Sequence, residues 1–161
     1  MWIILLDHSG SMGEPFRGKS DFAGRSRTSQ ASVKLDAARS ALVEHLAGLG
    51  APSRVALFEF TSTASLIFEG MSDDRGTIQT ALDALQADDG TEIAAALTEA
   101  GAYISHIQNE PIFRLLVISD GLSDLDRAQR AANQLAGKGV IIDVILIDPT
   151  DEGEAVARAI A

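Results

Sequence analysis

The sequence predicts an α/β domain: a three-layer, doubly wound, Rossmann-like sheet, mostly parallel, with one antiparallel edge strand and helices on both faces. Three observations predict it. Short, nearly continuous Val/Ile/Leu/Phe runs alternate with longer segments of helical period, as expected of parallel strands covered on both sides. One pair of runs is separated by only about four residues (61–64), too few for a crossover helix, so those two strands pair as a hairpin. The length, 161 residues, corresponds to one domain at about 150 residues each. Residues 1–161 therefore read as a single domain, large enough to fold without metal or disulfide staples.

The elements follow in order. The strands expected are Trp2–Leu6, Arg54–Phe60, Ser65–Phe68 (the antiparallel edge), Arg114–Ser119 and Val140–Ile147. Ala31, Leu35, Ala38, Leu42, Leu46 and Leu49 step by four and three along a first helix, which Gly48, Gly50 and Pro52 stop. Ile78, Leu82 and Leu85 make a second stripe after the acidic start Asp73-Asp74. Ile93, Leu97, Ala100, Ile104 and Ile107 make a third, ended by Pro111. Leu125, Ala128, Ala132 and Leu135 make a fourth, with Asp124 placed as its N-cap and Gly137 and Gly139 as its stop. A last helix spans Glu154–Ala161. Gly13–Ser32 does not fit this scheme. It lacks Val, Ile and Leu and carries Arg17, Lys19, Arg25 and Arg27 against Glu14 and Asp21. α/β connections usually take about 2–6 residues, so this basic loop is either a disordered excursion or a partner contact at the ligand-binding end of the first strand.

Composition excludes several function classes. Hydrophobic residues make up 46% and charged residues 22%, which is globular rather than disordered. There is no cysteine, hence no disulfide, thiolate zinc site or Cys nucleophile. No apolar run approaches the roughly 20 residues of a membrane span, and Met1–Asp7 lacks the basic start of a secretory signal. A cytoplasmic domain, monomeric on its own and without a membrane partner, is the expectation. The net charge is −10. Residues 1–50 carry six basic and five acidic side chains, whereas residues 51–161 carry seven and eighteen. Nucleic acid is disfavoured by that balance; a divalent cation or a basic protein surface suits it.

Polar groups gather where strands end. The first strand runs into Asp7-His8-Ser9-Gly10-Ser11, and on extended backbone residues 7, 9 and 11 point the same way. Arg114–Ser119 runs into Asp120-Gly121, and Thr91, in Asp88-Asp89-Gly90-Thr91, precedes the third helix. A doubly wound sheet brings all three places to its carboxyl-end crest. Two carboxylates and three hydroxyls suit a hard divalent ion, Mg²⁺ or Mn²⁺. Ser9, Ser11 and Thr91 are the expected direct ligands. Asp7 and Asp120 act largely through water and hydrogen bonds. Neutral ligands leave the ion electrophilic, able to take a carboxylate from outside. Asp88, Asp89 and Glu92 add negative potential beside Thr91.

With these residues the chain resembles the von Willebrand factor type A domains, including integrin inserted domains. Their metal-ion-dependent adhesion site uses Asp-x-Ser-x-Ser after the first strand, a Thr before the third helix and an Asp in a later Asp-Gly. Asp7, Ser9, Ser11, Thr91 and Asp120 match all five in order. The resemblance implies a protein-binding module dependent on Mg²⁺ (or Mn²⁺ or Ca²⁺), whose partner completes the coordination with an Asp or Glu. The long loop Gly13–Ser32 departs from the family, whose members enter the first helix within a few residues.

Blander and competing readings stand beside this one. Asp and Ser at strand ends form turns, and Thr91 and Asp124 are candidate helix caps. An Mg²⁺-dependent phosphatase-like hydrolase with Asp7 as nucleophile is the competing class. It needs a second Asp where this chain has Ser9, and a lysine near the later acidic group, for which the sequence offers only Lys19, Lys34 and Lys138. A serine hydrolase is disfavoured, since Gly10-Ser11-Met12-Gly13 is not Gly-x-Ser-x-Gly. His8 is out of phase with residues 7, 9 and 11 and points away from the site; His45 and His106 are surface or satisfied helix residues. Gly48-Leu49-Gly50 follows a helix and is a C-cap rather than a dinucleotide loop. Asp143, inside an apolar strand, calls for a structural partner.

Overall fold

The computed structural model describes residues 1–17, 32–107, 110 and 112–161. Five strands form one sheet: β1 (Trp2–Asp7), β2 (Arg54–Phe60), β3 (Ala64–Met71), β4 (Arg114–Ser119) and β5 (Ile141–Leu146). Their order is β3-β2-β1-β4-β5. All neighbours run parallel except β2 and β3, which form the expected antiparallel hairpin. The helices are α1 (Lys34–Gly48), α2 (Arg75–Asp83), α3 (Ile93–His106), α4 (Leu125–Ala136) and α5 (Asp151–Ile160).

The alternation of β1 explains the three layers. Ile3 and Leu5 face a core shared with Leu97 of α3, Ala132 of α4 and Val156 of α5. Ile4 and Leu6 face the opposite core, with Leu42 of α1 and Leu82 of α2. All four β1 side chains are fully buried, each contributing about 1.5–3 kcal/mol by leaving water. That double burial is why β1 reads as a continuous apolar run. Because β1 has β2 on one side and β4 on the other, the chain crosses in opposite directions from its end. A crevice opens there, at the carboxyl ends of β1 and β4.

Local chemistry sets the boundaries. Asp74 caps α2 by accepting from Thr77 N–H at 3.3 Å, and Asp124 caps α4 by accepting from Arg127 N–H at 2.9 Å. Thr150 caps α5, so that helix begins at Asp151 rather than Glu154. α3 ends at His106, where Ile107 turns extended, before the expected stop at Pro111, which lies outside the described residues. α1 starts at Lys34, later than its apolar stripe suggested, and Ala31 lies outside the described residues. The start of α1 is fixed by the base of the long loop. Phe16 N–H donates to Ser32 O at 2.8 Å and Lys34 N–H to Glu14 O at 3.0 Å, giving that N–H a partner no helical carbonyl supplies. Most of the basic loop, residues 18–31, lies outside the described residues. Asp143 meets Arg114 at 2.7 Å, the structural partner its position called for. His106 bonds within its own helix, Nδ1 lying 2.8 Å from Ala102 O. His45 is no surface residue: its ring meets Trp2 edge-to-face at 4.6 Å, and burial lowers its pKa below 6.5. Among the described residues no helix is long and apolar enough to cross a membrane.

Candidate functional site at the sheet crest

Asp7 ends β1 and is completely buried. Its Oδ1 accepts Ser9 N–H at 2.8 Å and its Oδ2 accepts the Ser119 hydroxyl from the end of β4. Ser119 Oγ in turn accepts Gly121 N–H at 2.9 Å. One hydroxyl thus ties the two strand ends together, a role for Ser119 that the sequence analysis missed. Burial pushes the Asp7 carboxyl above its ordinary value of 3.8, with the Asp120 charge adding to the rise; the bonds from Ser119 and Ser9 pull the other way.

The 7-9-11 alternation does not hold as an extended strand. The backbone stays extended only through Ser9 and then turns into a single 3₁₀ turn, Gly10–Gly13. Met12 of that turn is fully buried against the α1/α2 core. The turn brings Ser11 round to the same place by another route: Ser9 Oγ and Ser11 Oγ lie 3.2 Å apart. Residues 88–91 are drawn in by a parallel bridge between Ser9 and Asp88, with Asp88 N–H donating to His8 O at 2.9 Å. Thr91 follows, partly buried, two residues before α3. The N-cap of α3 is Glu92, not Thr91, and Ile93 N–H donates instead to Ser123 Oγ at 3.1 Å, linking this loop to the one after Asp120. Glu92 Oε2 meets Arg127 at 2.6 Å, while its Oε1 is buried without a hydrogen-bond partner. His8 does turn away, its ring on Gln86 O (2.8 Å) and Glu59 (3.7 Å).

Asp120, 1% exposed, accepts Leu122 N–H at Oδ1 (3.3 Å). Its Oδ2 accepts the ammonium of Lys34 at 3.1 Å, and Lys34 also reaches Glu14 Oε2 at 3.3 Å. Burial works against the Lys34 charge, but Asp120 and Glu14 outweigh it and its pKa stands above 10.5. No sequence signal places Lys34 here; its neighbour Asp120 is 86 residues away. Behind Asp120 the chain is packed backbone to backbone. Gly121 adopts φ +84°, and a Cβ on it would lie 2.5 Å from Gly153 O in the first turn of α5.

The donor set fits a hard divalent ion. Among the described residues no three His, Asp or Glu side chains converge into a metal cage; the oxygens gathered here are hydroxyls as well as carboxylates. Their 3.2 Å separation at Ser9 and Ser11 is close to the edge of about 3.0 Å between neighbouring ligands of an octahedral ion with bonds of about 2.1 Å.

The von Willebrand factor type A domain family model matches residues 2–123, which includes both strand ends, the hairpin and Thr91. The chain belongs to the von Willebrand factor type A domain family. Solved structures agree on the fold. The domain is 21% identical to an aerotolerance-related membrane protein from Bacteroides fragilis carrying multiple mutations to serines, with a TM-score of 0.70 over 91% of this chain and 66% of that one. It is 20% identical to the conserved hypothetical protein BatB of Bacteroides thetaiotaomicron (TM-score 0.71, covering 99% and 84%). It is also 20% identical to manganese-loaded TRAP protein of Plasmodium vivax (TM-score 0.64, covering 98% and 61%). No curated protein matches the chain. Von Willebrand factor type A domains often mediate protein–protein interaction and are generally interaction modules rather than enzymes.

One ground offered against a hydrolase does not survive in this von Willebrand factor type A domain: a lysine does accompany the later acidic group, because α1 carries Lys34 to Asp120. The stronger ground is Asp7 itself. A nucleophile must present an oxygen to its substrate, whereas Asp7 is fully buried with both oxygens engaged.

Proposed function

We propose that this domain binds a protein partner through a divalent cation, magnesium or manganese, held by Ser9, Ser11 and Thr91. The single observation that carries this reading is the paired hydroxyls of Ser9 and Ser11, 3.2 Å apart, on the turn whose Ser9 N–H bonds the buried carboxylate of Asp7. A manganese-loaded protein of the same fold supports the ligand class. An ion bound there supplies an electrophilic centre that accepts a carboxylate oxygen from an Asp or Glu of the partner. The residues of the chain do the rest. Asp7 provides negative charge beneath the hydroxyls and is held by Ser9 N–H and Ser119. Asp120 provides a second charge, and Ser119 couples its loop to Asp7.

Calorimetric titration with MnCl₂ and MgCl₂ tests the reading. The wild-type domain is expected to bind one ion per chain, and Ser9→Ala and Thr91→Ala to lose at least about ten-fold in affinity, one coordinating oxygen being worth more than 1.4 kcal/mol. Unchanged affinity in both variants overturns it. A phosphate-release assay in magnesium adds a second arm: turnover abolished by Asp7→Asn would replace the binding module with a hydrolase.

A further inference from the structure

Lys34 and Asp120 form the one ion pair among the described residues in which both side chains are less than a tenth exposed, at 7% and 1%. Every other side-chain pair lies nearer the surface. A buried pair of this kind adds little net stability, because stripping water from both charges consumes most of their attraction. Its location is therefore the informative feature. The backbone of Lys34 is pinned by Glu14 O at the base of the basic loop, and its side chain runs inward to the carboxylate that Ser119 and Gly121 couple to Asp7. The carboxylates of Asp7, Asp120 and Glu14 and the Lys34 ammonium then share the crest with the Asp88-Asp89 loop, which is bridged to Ser9.

Resting on the metal-dependent reading above, we propose that Lys34 is a built-in counter-ion of the site: it competes with the divalent cation for the charge of Asp120 and sets how tightly that cation is held. With Lys34 in place, its positive charge offsets one of the carboxylates a dication would meet and repels the dication itself. Without Lys34 the same dication meets a more negative cluster that holds it more tightly. The chain thus gives up cation affinity and keeps a loaded site neutral enough to accept an acidic group from a partner. Glu14, 62% exposed and already 3.3 Å from the ammonium, offers Lys34 a second resting place when Asp120 turns to the cation.

Lys34→Met and Lys34→Gln remove the charge, and Lys34→Arg keeps it. Calorimetric MnCl₂ titration of the full chain is expected to give at least about ten-fold tighter binding for the Met and Gln variants, given the repulsion a unit charge exerts on a dication a few ångströms away. The Arg variant should stay close to wild type. Melting curves without metal should show the Met and Gln variants less stable than wild type, and MnCl₂ should raise their midpoints further than it raises that of wild type. Binding that is unchanged or weaker in Met and Gln overturns the proposal. So does a variant that stays unfolded even in MnCl₂, since the dication must be able to replace the counter-ion. If Mn²⁺ binds to neither wild type nor any variant, the metal-dependent reading itself fails. Binding by wild type with no gain in the variants fails this inference alone.

Discussion

Replacing Gly153 with alanine probes the backbone contact on which Asp120 rests. Gly153 is the third residue of α5, and a Cβ added there would lie 2.2 Å from the Asp120 carbonyl oxygen and 3.4 Å from Gly121 Cα. Ordinary carbon–oxygen contacts fall near 3.3 Å, so α5 or the β4 end must move by about 1 Å. Neither yields easily. Val156 and Ile160 anchor α5 in the core, and Asp120 is buried. Overpacking of this kind costs about 1–3 kcal/mol, against at most about 1 kcal/mol regained from helix propensity. At about 2–4 °C per kcal/mol for a domain of this size, a net loss of about 2 kcal/mol lowers the melting midpoint by about 4–8 °C. Gly76 supplies the contrast, being likewise in a first helical turn (α2) but with nothing within 4 Å of an added Cβ. Gly76→Ala is expected to raise the midpoint by about 1–2 °C, from about 0.5 kcal/mol of backbone entropy. Thermal melts followed by far-UV circular dichroism compare the two. A Gly153→Ala domain melting at or above wild type refutes the packing of α5 against the site.

Further predictions concern single groups. Because burial holds the Asp7 pKa above 3.8, the metal-free fold binds this proton more tightly than the unfolded chain, and its stability falls as pH rises from 3.8 through the raised value. Asp7→Asn removes that loss and keeps the bond from Ser9 N–H. The variant should melt no lower than wild type at neutral pH without metal, yet show no rise with MnCl₂; a wild-type rise contradicts this. Asp7→Ala, by contrast, strands Ser9 N–H and the Ser119 hydroxyl and should cost about 1–3 kcal/mol, measurable by urea titration. His45 has its pKa lowered by burial, so the stability it contributes is present above pH 6.5 and is lost as pH falls through the lowered value. His45→Gln should flatten that acid-side decline in melting midpoint, and an unaltered profile counts against it. Tyr103, the only tyrosine, is pushed up to about 12, first by burial and then by the Glu69 charge. Ultraviolet titration of tyrosinate should place its midpoint near 12, and a midpoint at the ordinary 10.0 would contradict the burial of its hydroxyl beside Glu69.

The sequence by itself determined the sheet and the helices, and it put the candidate site residues at the ends of those elements. β1, β2 and β4 were legible because the middle of a strand buried on both faces must be apolar, and β5 because its run of Val, Ile and Leu is broken only by Asp143. The hairpin was legible because four residues cannot cross a sheet, and α4 because Asp124 caps it and Gly137 and Gly139 stop it. Asp7, Ser9, Ser11, Thr91 and Asp120 were readable as a set because each sits where a strand or helix ends, and those ends share one crest. What tertiary structure alone decided were the contacts between segments distant in sequence. Ser11 reaches Ser9 through a 3₁₀ turn that buries Met12, not through strand alternation. Ser119 became the clasp between two strand ends, and Gly153 became the seat of Asp120. Lys34, which the sequence offered only as one of three lysines, turns inward to Asp120 from a backbone held against Glu14 at the base of the long loop. Periodicity records which face of an element is buried. It carries no record of which charge the fold will set against another 86 residues away, because that depends on the pairing of β1 with β4 and on the geometry of a loop base.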